Sequence, residues 1–114
     1  MECARIAEGK KATDIVVLDI RKIAFISDYF VVASGNNRKQ LQAIADEISQ
    51  TLKGRGRRRV GMQGYDAGAW VLVDFGDVVI HLFHEEMRRY YELENFWADG
   101  KKIRWQGKAG ADEE

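Results

Sequence analysis

The 114-residue chain has no proline, one cysteine, two histidines and no net formal charge. The lone Cys3 excludes an intramolecular disulfide and fits a reducing compartment. With 46% hydrophobic residues and no proline, folding needs neither a disulfide nor a metal. The 18 Lys+Arg offset the 18 Asp+Glu, so no global charge draws the chain to nucleic acid or to a membrane. Charge-based recognition must then come from local patches. No apolar run approaches the roughly 18 residues that a membrane span needs. The opening MECARIAEGKKA has no apolar signal core. A cytoplasmic protein is expected, with Cys3 near a mobile terminus.

What is present suits one domain, residues 1–114, because a single core serves this length. Residues 2–11 suggest a short helix with Ile6 as its only large apolar residue. Asp14 to Ile20 (DIVVLDI) and Tyr29 to Ala33 (YFVVA) are β-branched apolar runs, as in strands covered on both faces. Ser34-Gly35-Asn36-Asn37 then opens a helix in which Leu41, Ile44, Ala45, Ile48 and Leu52 recur at helical spacing. Asn36 or Asn37 can cap it, with Gln40 completing a capping box, and Gly54 and Gly56 stop it. Val60 and Met62 suggest a short edge strand. Trp70 to Asp74 and Val78 to Phe83 predict an antiparallel hairpin around Phe75-Gly76, with Gly76 at positive φ. A helix is expected from about Glu85, and the polar tail beyond Gly100 is expected to fray, with 107–114 flexible. The fold class is α/β (α+β), a single mixed sheet of about five strands flanked by helices.

The stretch from Trp70 to Trp97 holds both histidines and two of the three tryptophans, with no nucleophile beside a base. His81 and His84 lie three apart on a strand and point to opposite faces, so they do not make a metal pair. An inter-strand hydrogen bond is the expected role, and no metal or cofactor is expected. Asp74 and Asp77 are the best catalytic candidates. Two-metal phosphoryl transfer needs carboxylates converging on ions about 4 Å apart, whereas these two straddle a turn. A magnesium-dependent nucleotidyltransferase-like enzyme is therefore the alternative, and no catalytic residue is assigned. Ser34-Gly35 lacks the glycines of a dinucleotide loop and the P-loop lysine, so capping is its expected role. Arg55, Arg57, Arg58 and Arg59 form a basic knot suited to RNA phosphates, without a neighbouring aromatic to stack a base. A general RNA-binding domain is a further alternative. Trp70 is either a core residue or an interface anchor.

Three segments together resemble the ribosomal silencing factor, or Iojap-related, family: DIVVLDIRKIAFISDYFVVASG (14–35), SGNNRKQLQAIADEI (34–48) and GYDAGAWVLVDFGDVVIHLFHEEMRRYYELENFW (64–97). The likeness covers residues 14–97. It implies a fold similar to nucleotidyltransferases, no enzymatic activity and no cofactor. It also implies docking on the large ribosomal subunit through that subunit's ribosomal protein number fourteen. Such docking blocks subunit joining and lowers translation when nutrients run short. The matching residues are Trp70, Asp74, Asp77, His81, Tyr91, Leu93, Glu94 and Trp97, with the Asp74-Phe75-Gly76-Asp77 turn between the strands. Two features depart from the family pattern. The short first helix argues against helix-mediated dimerisation, so a monomer or weak homodimer is expected. The Arg55–Arg59 knot is unusually basic and would add RNA contacts.

Overall fold

A computed structural model describes residues 2–21, 27–86 and 101–103. Two helices, α1 (Glu2–Gly9) and α2 (Arg38–Gly54), accompany six strands among the described residues. The strands are β1 (Thr13–Asp19), β2 (Tyr29–Gly35), β3 (Gly61–Gln63), β4 (Trp70–Asp74), β5 (Val78–His84) and β6 (Lys101–Ile103). They form one mixed sheet in the order β3-β4-β5-β2-β1-β6, with β2 and β5 parallel and the other pairs antiparallel.

Each β2 and β5 run is apolar at consecutive positions because each strand has a buried residue on both faces. Val31, Ala33, Val71, Val73, Ile80 and Leu82 turn to one face and pack with α1 and α2. Their neighbours Phe30, Val32, Val79 and Phe83 join Leu18 and Ile20 in a second cluster on the opposite face. α2 presents Leu41, Ile44, Ala45, Ile48 and Leu52 to the first cluster, as the helical spacing predicts.

The start of α2 is fixed by side chains. Asn37 is the N-cap and its Oδ1 accepts from the Gln40 backbone N–H at 2.8 Å. Gln40 Oε1 accepts from Asn36 N–H at 2.7 Å, and its amide donates to Lys10 O at 3.0 Å. The expected reciprocal cap therefore forms with Asn36 as the second partner, and it also ties α2 to the end of α1.

Two expectations are corrected. Residues 101–103 lie beyond Gly100 yet pair with β1, with Val17 opposite Ile103. Backbone pairing with a free sheet edge needs no apolar side chains, and lysine is a common edge residue. With β6 the single mixed sheet expected from the sequence has six strands among the described residues. Cys3 is not at a mobile end: with Ala4 and Ala7 it is buried, while Ile6 is only partly buried. Small residues let α1 approach closely, and burial raises the Cys3 thiol pKa to about 11. Glu85 and Glu86 are helical, where the sequence leads one to expect a helix to start; the rest of that expectation lies outside the described residues, as does 107–114.

One glycine positions the hairpin. Gly64 has φ +77°, and an added Cβ would stand 2.0 Å from the Trp70 carbonyl oxygen. Backbone cannot yield as a flexible side chain can, so Gly64 fixes where β4 begins. Replacing Asn37 by Ala is expected to cost about 1 kcal/mol of stability. Gly64→Ala is expected to cost more, on the order of 1–3 kcal/mol. Urea unfolding of the two variants checks the order; a Gly64→Ala variant as stable as the wild type would contradict this account of the turn.

Candidate functional site

The β4–β5 hairpin sets one residue row on the sheet face opposite α1 and α2. Trp70 pairs with Phe83, Leu72 with His81 and Asp74 with Val79. On β2, Val32 stands opposite His81. Strand alternation therefore brings Trp70, His81, Phe83 and Phe30 together. The Trp70 ring stacks on Phe83 with centroids 4.8 Å apart, and Phe30 lies 4.5 Å from the His81 ring.

Trp70 Nε1 donates to His81 Nδ1 at 3.3 Å, the inter-strand bond expected for the histidine. An indole nitrogen can only donate, so Nδ1 must accept and the imidazole must be neutral with its proton on Nε2. His81 is 5% exposed, and Nε2 has no hydrogen-bond partner among the described residues. Burial lowers its pKa to about 4, against a smaller opposing pull from Asp74. A proton arriving at Nδ1 would also confront the indole N–H.

Trp70 is 37% exposed, one of the large apolar side chains left partly in solvent. It is neither a core residue nor a free one: one ring face rests on Phe83 and its N–H is anchored. His81 cannot present itself directly to a partner because it is buried and its Nδ1 is occupied by the indole N–H. Phe83 and Phe30 were not singled out from sequence. The hairpin register would have found Phe83, since period-two alternation from His81 leads to it.

The remaining predicted residues separate. Asp74 Oδ1 accepts from the Gly76 N–H at 2.8 Å and shapes the turn, where Gly76 has φ +89°. Asp77 forms an ion pair with Arg57. The two carboxylates thus have different structural tasks. Among the described residues no three of His, Cys, Asp and Glu come together as a metal site. Arg55 pairs with Glu2 at 3.0 Å, and Arg59 Nη1 donates to Ser49 Oγ at 3.2 Å. Tyr91, Leu93, Glu94 and Trp97 lie outside the described residues. No described helix is long and apolar enough to cross a membrane.

The depressed His81 pKa has a definite sign in stability. Below the ordinary value of 6.5 the unfolded chain takes up a proton that the native fold refuses down to about 4. Stability should therefore fall as pH drops from 6.5 toward 4, by about 3 kcal/mol in total. His81→Gln removes the titrating group. Urea midpoints at pH 7 and pH 4 should drop further for the wild type than for this variant. Parallel drops would remove His81 as the cause.

Comparison with known proteins bears on the whole arrangement. Residues 1–114 match the family described as "Ribosomal silencing factor during starvation". Ribosomal silencing factor RsfS of Bacillus subtilis is 46% identical over 96 residues, covering 84% of this chain and 81% of the relative. The protein of the same name from Halalkalibacterium halodurans is 40% identical, covering 88% and 86% respectively. A crystal structure from Chromobacterium violaceum superposes with a TM-score of 0.82 at 36% identity, covering 94% of this chain and 88% of that one. Matched to the family over residues 1–114 and 40–46% identical to two of its named members, the chain belongs to the ribosomal silencing factor family.

Proposed function

We propose that this protein represses translation by docking on the large ribosomal subunit with the Trp70 face of its hairpin. Its partner there is that subunit's ribosomal protein number fourteen, and the small subunit is excluded by occupancy. The silencing role is supported by the family and by the names its relatives carry. The mode of docking is supported by one observation: a tryptophan held rigid by a stacked ring and an anchored N–H, yet 37% exposed. Rigid aromatic anchors lose little conformational freedom on binding and dominate interface energetics.

No bond is made or broken in this mechanism. The turn carboxylates have structural partners, Gly76 N–H and Arg57, which disfavours the magnesium-dependent reading. Asp74 and Asp77 then act by holding the hairpin tip, and His81 by holding Trp70. Tyr91, Leu93, Glu94 and Trp97 complete the docking surface by resemblance. The protein works in the cytoplasm as a monomer or weak homodimer, without a cofactor.

Purified protein should co-sediment with large subunits and far less with joined ribosomes. Equal binding to both would refute exclusion by occupancy. Trp70→Ala removes a half-buried ring, not a core one, and a fold of ordinary stability tolerates the loss. Its circular dichroism should match wild type while its affinity for large subunits falls at least about 30-fold, the equivalent of about 2 kcal/mol. A folded variant with unchanged affinity would take Trp70 out of the interface.

A further inference from the structure

A second surface lies away from the hairpin row, where α2 ends. Ser49, Gln50, Lys53, Gly56, Arg57, Arg58 and Arg59 line an open groove of about 540 Å³. The loop that forms it is held by its own backbone. Gly56 N–H donates to Lys53 O at 3.0 Å and Arg57 N–H to Leu52 O at 2.8 Å. These bonds occupy carbonyls at the C-terminal end of α2 that would otherwise repel an anion.

The basic residues here divide by task. Arg55 and Arg57 are tied to Glu2 and Asp77, and the Arg57 guanidinium also lies 6.0 Å from the Phe75 ring centroid. They staple the loop to α1 and to the hairpin turn. Lys53, Arg58 and Arg59 are exposed, and none of them forms an ion pair among the described residues. Arg59 is instead directed by the Ser49 hydroxyl. Three exposed cations, with a hydroxyl and an amide as neutral partners, form the donor set that phosphate oxygens take.

We infer that this groove binds the phosphate backbone of double-stranded RNA through Lys53, Arg58 and Arg59. The groove is far larger than one phosphate, which suits a continuous backbone. It has no aromatic lining residue, whereas single-stranded binding relies on rings that stack bases. Recognition is therefore of backbone and shape, without base sequence. The inference relies on the ribosome-docking reading only in taking the duplex to be ribosomal.

The test uses the full chain and the double variant Lys53→Gln/Arg58→Gln, with Lys39→Gln, an exposed cation at the opposite end of α2, as the control. Two probes are titrated from 50 to 200 mM salt: purified large subunits, and a labelled RNA duplex of arbitrary sequence. For both probes the double variant should lower the slope of log affinity against log salt by about 2, roughly one per lost phosphate contact. The control should leave both slopes unchanged. Unaltered slopes in the double variant would overturn the groove assignment while leaving hairpin docking intact. Weakened subunit binding with unchanged duplex binding would mean an acidic protein partner, and would also overturn it. If the wild type binds the duplex but not the subunit, and the double variant loses the duplex, the groove stands and ribosome docking fails.

Discussion

The Trp70 indole donates across the hairpin to a buried, neutral imidazole, and the geometry of the exposed face follows from that bond. It fixes the His81 tautomer and holds the indole against Phe83 while the ring stays 37% exposed. The bond requires that β4 and β5 pair in one register, because a slip by one residue would send His81 to the α-helical side of the sheet. Register depends in turn on Gly64, which sets the approach to Trp70, and on Asp74, which closes the turn onto Gly76. The neutral histidine has a thermodynamic consequence as well: the same burial that makes it a good acceptor makes the fold sensitive to acid.

Electrostatics divide the chain differently from composition. Charges sum to zero over the whole sequence, yet the loop after α2 concentrates arginine. Within that loop, Arg55 and Arg57 are consumed by ion pairs that attach it to α1 and the hairpin turn. Surface pairs of this kind contribute little to stability, typically below about 1 kcal/mol. Their larger effect is to orient the loop, leaving Lys53, Arg58 and Arg59 around one groove. The proposed docking face is aromatic and the proposed RNA groove is cationic, a combination that suits a target made of both protein and RNA.

Much of this was legible in the sequence. The β2 and β5 runs, the α2 stripe, its Asn37 cap and the Gly76 turn each carry a local signal, and the structure places them as expected. The likeness to silencing factors was also carried by sequence segments. Pairing by backbone alone was not legible, so β6 was missed: Lys101–Ile103 joins the sheet through an edge that side-chain pattern does not announce. The burial of Cys3 is not legible because small residues that pack a helix tightly look, in sequence, like weak apolar signal. The sequence leaves Trp70 open between core and interface because its partial exposure is set by its cross-strand neighbours, Phe83 and His81, and not by its own run. The sorting of the arginines into staples and groove residues depends on Glu2 and Asp77, which are distant in sequence.

In the proposed mechanism, occupancy of the large subunit by the Trp70 face prevents joining. Light scattering of purified large and small subunits, mixed with or without this protein, measures joining directly. Stoichiometric wild-type protein should suppress the scattering rise, and the folded Trp70→Ala variant should fail to do so at the same concentration. Normal joining in the presence of bound wild-type protein would contradict the account.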